Sequence, residues 1–582
     1  MLNTRQKLKK LRGLFLEYDI DCYLVPHTDE FQNEFLPRYS RRLEWLSNFT
    51  GSAGDIIVTK NKAYIFVDGR YTIQAHNEVD KSCFSIINYK DANPSKIINS
   101  LRKNNLRIGF DSNILNIGKL QFLKKQSNNR VKYVEIQNNL IDELWLNKPK
   151  KIKSDPFLYP LRYSGEKSEE KINKLIAFMN KFKVDRYILT ATESICWLFN
   201  VRAKDIEYSP LFLSKAIIES NGKSIIFSDS NKSLKLGKKI QLRESNEIHR
   251  YIAEAKNKNL KYMASASSIS VELYRTVSKS NKIVFKEDMI EHLKAQKNIT
   301  EIMGMKNAHI RDGATLSKFI YWIKNSVTKK ETTELDAINY LDNLRKKNKN
   351  FVSLSFPTIA GTGPNGAIVH YRASKKSNRK IKKTDLFLVD SGAQYLDGTT
   401  DVTRTIAFNK VTKNQKEMYT RVLKGHIAVA KSKSSHREKG KNLDKLARRY
   451  LKQVNKNFDH GTGHGVGSFL NVHEGPQVIS PNGRVNFKHG MIVSNEPGYY
   501  KKNNYGIRIE NLILAKVAND TLQFETITFA PLEKKLIDHN LLTKEEVCWI
   551  NDYHAQVRKH LLPFMNGRQS KWLKEETERI IH

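Results

Sequence analysis

A chain of 582 residues, 39% hydrophobic and 10% aromatic, is too long for one core and calls for roughly two to four domains. That composition excludes a disordered protein, and no apolar run approaches the roughly 18 residues of a membrane span. With 100 Lys and Arg against 60 Asp and Glu the net charge is +40. The excess is mostly lysine spread along the whole chain, so it reads as compositional bias, and neither nucleic acid nor a membrane is expected as a main partner.

In chain order, residues 5–19 carry apolar side chains at helical spacing (Leu8, Leu11, Phe15, Leu16), and the basic N-terminus lacks the features of a secretory signal. Strand-like runs follow at 22–26, 56–59, 63–67 and 107–110, interleaved with helical stretches. This predicts an α/β domain over residues 1–150. Its polar, Gly-containing loops at 46–55 and 68–71 (D-G-R-Y, with Arg70) are of the kind that carry function or are simply turns. The segment N-K-P-K-K-I-K-S-D-P at 147–156 has the charge and proline of a linker. A second α/β domain over 151–296 repeats the helix–strand order, which suggests a duplicated fold. A third domain, 297–582, opens on a long amphipathic helix over 301–323, in which His309 reads as a structural histidine. Strands dominate 351–411, and the helical 547–558 either finishes this domain or braces a dimer. Cys22, Cys83, Cys196 and Cys548 lie far apart, the pattern of reduced, mostly buried thiols in a cytoplasmic protein.

The chemistry concentrates in the third domain. D-L-F-L-V-D-S-G-A-Q-Y-L-D-G-T-T-D-V-T-R-T (385–405) places Asp390 in an apolar strand and Asp401 in a second run beyond the turn dipeptide Asp397-Gly398. Two carboxylates among buried strands are costly without a counter-charge. A Gly/Pro-rich loop and strand (355–372) presents His370. The run H-G-T-G-H-G-V-G-S-F-L-N-V-H-E-G-P (460–476) holds His460, His464 and His473 among glycines. S-N-E-P-G-Y-Y (494–500) presents Glu496, and strand alternation in Y-G-I-R-I-E-N (505–511) puts Arg508 and Glu510 on one face. Singly these are weak: the glycine loop also suits a phosphate, and N-E-P-G suits a turn. Together, Asp390, Asp401, His464, Glu496 and Glu510 offer four carboxylates and one imidazole, a donor set for two Mn²⁺, Co²⁺, Fe²⁺ or Zn²⁺ ions.

These segments resemble the pita-bread metallopeptidases, the family of methionine aminopeptidase, prolidase, creatinase and aminopeptidase P. They are most similar to its long, three-domain Xaa-Pro-cleaving members. The likeness extends to R-R-x-x-W-L-S-x-F-T-G-S-A-G and D-G-R-Y in the first domain and W-L-F-N-V-R-A-K-D-I-E-Y-S-P in the second. The resemblance implies two creatinase-like α/β domains before a pita-bread catalytic domain. It implies that Asp390 binds one metal, Asp401 and Glu510 bridge the pair, and His464 and Glu496 complete the other shell. Glu496 would take a proton from a water bridging the metals, while His370 and His473 flank the scissile carbonyl. Arg508 and His460 would lie near a proline pocket, with Arg70 reaching the substrate from the first domain. On the residues alone, Arg508 is equally an ion pair steadying Glu510, and Arg70 a core salt-bridge partner. The implied activity is release of the N-terminal residue from peptides with a penultimate proline, with Mn²⁺ as usual metal, in a homodimer. An Xaa-Pro dipeptidase and a non-catalytic binding protein are the alternatives.

Overall fold

The structure, a computed structural model, describes residues 2–101, 103–151, 153–230, 234–255 and 259–581. The chain forms two compact units: Met1–Pro160 with Glu166–Ile290, and Leu161–Gly165 with Glu291–His582. Among the described residues no helix is long and apolar enough to cross a membrane, and none of the four cysteines is in a disulfide, although only Cys22 and Cys196 are buried.

The first unit holds two six-stranded sheets. Strands β1 (Cys22–Pro26), β2 (Asp55–Thr59), β3 (Ala63–Val67), β4 (Ser85–Asn88), β5 (Leu106–Asp111) and β6 (Val131–Ile136) line up in the order β4-β3-β2-β1-β5-β6. Strands β7 (Arg186–Leu189), β8 (Lys215–Glu219), β9 (Ser224–Phe227), β10 (Ile240–Arg243), β11 (Lys261–Ala264) and β12 (Lys282–Phe285) take the order β10-β9-β8-β7-β11-β12. In each sheet the central strand pairs antiparallel on one side and parallel on the other. The outer steps also match in direction, strand for strand. The duplication suggested by the order of elements is therefore one of topology. Runs such as Ile56-Ile57-Val58 are uninterrupted because both faces of the sheet are covered. One apolar cluster draws on both sheets, with Leu24, Ile57 and Phe66 alongside Ile188, Ile217 and Ile225.

The first helix is shorter than its apolar spacing suggests. It spans Thr4–Gly13, capped by Asn3, and the chain then turns, so Phe15 is buried while Leu16 is 91% exposed. The linker reading at 147–156 falls on chain without helix or strand, apart from a bridge at Ser154; Ile152 lies outside the described residues.

In the second unit the long helix is Ile299–Lys329, begun by a reciprocal Asn298–Glu301 capping box. Leu316, Phe319, Ile320 and Ile323 pack on Phe387, Val389, Val402 and Ile406 of the antiparallel strands Leu386–Ser391 and Val402–Ala407. Burying side chains of this size contributes about 1.5–3 kcal/mol each. Alternation then turns Leu386, Leu388 and Asp390 to the opposite face. His309 is a buried structural histidine on this helix, its Nδ1 2.7 Å from the Met305 carbonyl; burial pushes it down to about 4.

A six-stranded sheet carries Gly463–Gly465, Ile492–Asn495 and Asn511–Ala518. The helix Lys544–Leu561 buries Val547, Ile550, Tyr553, Val557 and Leu561 in a cluster with Met418, Val422 and Ile507. It therefore completes this unit's core. The short segment Leu161–Gly165 belongs here too: Asn298 Nδ2 donates to the Ser164 carbonyl at 2.8 Å. Gly165 adopts φ +69°, where a Cβ would lie 2.5 Å from Asn298 Oδ1.

Candidate metal centre

Five segments of the second unit bring the polar residues together. Asp390 is the next-to-last residue of its strand, on the face away from the long helix and opposite Thr403 of the neighbouring strand. Asp401 immediately precedes that strand. The turn dipeptide Asp397-Gly398 belongs to a smaller inserted hairpin, in which Tyr395 pairs with Gly398. The two aspartates are thus joined by a longer excursion than a single tight hairpin. His464 sits in Gly463–Gly465, Glu496 follows Ile492–Asn495, and Glu510 precedes Asn511–Ala518. The run 505–511 is not one strand. Tyr505–Arg508 pairs with Gly498–Lys501, and Asn511–Ala518 joins the larger sheet. The break between them lets Arg508 and Glu510 both reach the site. His370 lies on a turn after the 3₁₀ segment Gly363–Ala367, not on a strand.

The geometry is that of a cation site. One ligand atom from each of Asp401, His464 and Glu510 lies within 4.8 Å of the others. His464 Nε2 is 3.4 Å from Asp401 Oδ2 and 3.4 Å from Glu496 Oε1. Its Nδ1 lies 2.9 Å from the Gly465 carbonyl. A carbonyl only accepts, so Nδ1 carries the proton, and in the neutral ring Nε2 turns a lone pair on the carboxylates. Thr403 Oγ1 donates to Glu510 Oε2 at 2.7 Å, while Ser494 Oγ donates to Glu496 Oε1 at 3.1 Å.

Two carboxylate oxygens of the site, Asp390 Oδ1 and Glu510 Oε1, are buried without a hydrogen-bond partner among the described residues. An orphaned buried acceptor is costly, and here a positive charge is the natural partner. Burial, then the charges of Asp390 and Glu496, push the Asp401 carboxyl well above its ordinary range. Burial, then Asp401, Glu496 and Asp390, do the same to Glu510. Glu496 is raised by burial, an effect that His464 and Arg508 partly offset. Crowded carboxylates that resist ionising together fit divalent cations, whose charge reverses that penalty.

A second line of contacts runs away from the carboxylates. Arg508 Nη2 donates to Asp390 Oδ2 at 2.6 Å and to the Val369 carbonyl, next to His370, at 3.3 Å. Arg508 Nη1 donates to Tyr500 Oη at 2.6 Å, and Tyr500 Oη lies 2.8 Å from His460 Nε2. Arg508 therefore pairs directly with Asp390 and reaches Glu510 only through Thr403 Oγ1, 3.2 Å from its Nε. Tyr500, whose hydroxyl burial pushes up to about 12, joins Arg508 to His460 and was not singled out in the sequence. His473 stacks edge-on against His464, ring centroids 4.4 Å apart. Arg70 belongs to the first unit, where it makes a two-pronged contact with Asp68 at 3.0 and 2.7 Å.

Residues 303–516 match the sequence family described as metallopeptidase family M24, and residues 520–580 match the C-terminal region of peptidase M24. Residues 7–144 and 147–301 each match a creatinase/prolidase N-terminal domain. The chain is 37% identical over 607 residues to Xaa-Pro aminopeptidase 1 of Dictyostelium discoideum, covering 98% of this chain and 96% of that one. It is 36% identical to a probable Xaa-Pro aminopeptidase P of Paracoccidioides brasiliensis, with both chains covered in full. Its fold is similar to that of X-prolyl aminopeptidase from Caenorhabditis elegans, described as a cytosolic enzyme with a di-nuclear active site. The TM-score is 0.94 at 30% sequence identity over the whole of both chains. With its mixed α/β architecture, the chain belongs to metallopeptidase family M24, its M24 domain preceded by creatinase/prolidase N-terminal domains.

Proposed function

We propose that this chain releases the N-terminal residue from peptides whose second residue is proline, using two divalent cations held by Asp390, Asp401, His464, Glu496 and Glu510. The observation that carries this reading is the convergence of buried Asp401 and half-buried Glu496 on His464 Nε2, with two carboxylate oxygens of the site left without a hydrogen-bond partner among the described residues. Hard oxygen donors with a single imidazole favour Mn²⁺, with Co²⁺, Fe²⁺ and Zn²⁺ as alternatives. Bound cations supply Lewis acidity, activating water and polarising the scissile carbonyl.

The chain's own residues do the rest. Glu496 accepts the proton of the attacking water, a task suited to a carboxylate made more basic by burial. His370 and His473 flank the scissile carbonyl, stabilising the oxyanion and returning a proton to the leaving proline nitrogen. An Xaa-Pro bond has no amide N–H and a fixed φ, so its recognition depends on shape. Arg508, Tyr500 and His460, locked in one hydrogen-bonded line, form one wall of the proline pocket. The same reading carries a homodimer, supported by the family resemblance, and a cytosolic location, supported by the C. elegans neighbour described as cytosolic.

The test is release of arginine from Arg-Pro-Pro and Arg-Ala-Ala by metal-stripped protein before and after Mn²⁺ is added. Mn²⁺-dependent cleavage of the proline peptide alone is the expected result. Refusal of both tripeptides with cleavage of the dipeptide Arg-Pro would replace the reading with a dipeptidase, and no cleavage of any of the three with any divalent metal would leave a binding protein.

A backbone contact offers a separate check. A Cβ on Gly506 would lie 1.7 Å from the Gly366 carbonyl oxygen, so Gly506→Ala must push the 363–371 loop, and with it Val369 and His370, away from Arg508. A displacement of about 1 Å can cost roughly a hundredfold in rate. A drop in kcat/KM of that order is expected on Arg-Pro-Pro, with the far-ultraviolet circular dichroism retained. Unchanged kinetics would remove the loop from the site.

A further inference from the structure

Arg404 is fully buried, yet among the described residues its six hydrogen bonds all go to neutral acceptors. Nη1 donates to the carbonyls of Thr403 (2.8 Å) and Glu510 (2.7 Å). Nη2 donates to Asn511 Oδ1 (2.8 Å), the Ala530 carbonyl (2.9 Å) and Tyr553 Oη (2.7 Å). Nε donates to the Pro531 carbonyl at 3.1 Å. Two other fully buried arginines have carboxylates: Arg345 holds Asp312, and Arg508 holds Asp390. Burying a guanidinium without an anion is expensive. What the rigid fork gives in return is geometry, several acceptors fixed at once.

The acceptors are informative. Asn511 follows Glu510, its side chain is completely buried, and its Nδ2 lies 3.2 Å from His426 Nε2. His426 Nδ1 donates to the Asn495 carbonyl at 3.0 Å, and Asn495 Nδ2 donates back to the His426 carbonyl at 2.9 Å. Asn495 precedes Glu496 and pairs directly with Asn511 across the sheet. The mirrored dipeptides Asn495-Glu496 and Glu510-Asn511 therefore put one residue of each pair into the metal centre and the other into this network. At the far end Tyr553 comes from the C-terminal helix Lys544–Leu561 and touches the Ala530 carbonyl at 2.9 Å. Burial, then the charge of Arg404, press His426 down to about 3, which keeps it neutral and so able to accept from Asn511 at working pH.

We infer that Tyr553, Arg404, Asn511, His426 and Asn495 form one buried network that positions Glu496 and Glu510 from behind and makes the C-terminal helix part of the metal centre. Arg404 is a positioning residue: it contacts neither substrate nor cation and acts through the backbone of Glu510. The inference rests on the metal-ligand reading of Glu496 and Glu510.

The test is calorimetric titration of metal-stripped, full-length protein with Mn²⁺, for wild type, Arg404→Lys, Tyr553→Phe and Arg345→Lys. Removing an outer partner of a metal ligand weakens affinity by about 10- to 100-fold, and that loss is expected for Arg404→Lys. Tyr553→Phe, the gentler change, is expected to lose about fivefold, the equivalent of one hydrogen bond. Arg345→Lys also disturbs a buried pair, with Asp312, and is expected to lower the melting temperature while keeping wild-type Mn²⁺ affinity. Should Arg404→Lys fail to fold, Tyr553→Phe decides alone. Wild-type affinity in Tyr553→Phe, or an equal loss in Arg345→Lys, overturns the network. A wild-type protein that binds no Mn²⁺ overturns instead the metal reading beneath it.

Discussion

Exchanging Glu510 for Gln is expected to stabilise the metal-free protein and to destroy its response to metal. In the metal-free protein Glu510 is a buried carboxylate facing Asp401, Glu496 and Asp390, with its Oε1 unpartnered. Gln is neutral at every pH and carries none of the penalty that raises the Glu510 carboxyl, so the melting temperature without metal should rise. With metal the order reverses. A ligand at 100 times its Kd stabilises the wild type by about 2.7 kcal/mol, and most of that increment should vanish in Glu510→Gln. Losing several kcal/mol of Lewis-acid stabilisation corresponds to about a thousandfold in rate.

The pH dependence gives the argument a second handle. Asp401, Glu496 and Glu510 have folded-state pKa values raised above the unfolded carboxylate range. Above roughly pH 4 the folded state therefore holds more protons than the unfolded one, and stability must fall as pH rises through that window. Metal-free wild type should lose melting temperature from pH 5 to pH 8 more steeply than Glu510→Gln. Mn²⁺ should flatten the wild-type slope, because binding expels those protons. Calorimetry at the two pH values, with chelator and with Mn²⁺, reads all of this. A metal-free melting temperature that drops in Glu510→Gln would end the account of a repulsive carboxylate cluster.

The second large effect is structural. Arg345→Met is expected to destabilise the catalytic unit by about 3–5 kcal/mol, because it strands a buried charge. Asp312 receives Arg345 Nε and Nη2 at 2.8 Å each and the Tyr395 hydroxyl at 2.7 Å. Burial raises the Asp312 carboxyl, but the Arg345 charge and hydrogen bonds outweigh it and leave the group below its ordinary range. Without Arg345 the burial penalty is opposed mainly by the Tyr395 hydrogen bond, so the loss should be greatest at neutral pH and shrink as pH falls towards protonation of Asp312. Adding Asp312→Asn, which still accepts from Tyr395, should recover more than half of the loss. Denaturant unfolding of the single and double variants measures it, and a single-variant loss below about 1 kcal/mol, the scale of an exposed pair, would refute it.

The residues that sequence reading found are those whose signal is local. Asp390 stands out because a carboxylate in Leu-Phe-Leu-Val contradicts its surroundings, and His464 because glycines crowd it. The long helix was legible from spacing alone. What failed was also local: a periodic run to Leu16 did not reveal that the helix stops at Gly13, and Tyr505 to Asn511 read as one strand conceals a change of sheet. Tyr500, His426, Arg404 and Tyr553 were invisible as site residues for another reason. Their meaning lies in partners remote in sequence, such as Tyr553 149 positions from Arg404, and no periodicity encodes a pairing at that range. The identical topology of the two N-terminal sheets was likewise visible only as a repeated order of elements, because a sheet specifies which positions are buried and not which apolar residue fills them.

The short segment Leu161–Gly165 has a consequence for how the protein is made. Its partner Asn298 is 134 positions downstream of Ser164, and at 5–20 residues per second that partner leaves the ribosome roughly 7 to 27 s later. In that interval all of the second N-terminal sheet is synthesised, long enough for it to fold on most domain timescales. The nascent chain therefore completes its N-terminal half while holding out a five-residue segment with nothing yet to dock against. Vectorial synthesis thus sets an order of assembly: the catalytic half begins on a piece of chain delivered early, and a ribosome stalled before Asn298 would leave that piece exposed to proteases and chaperones.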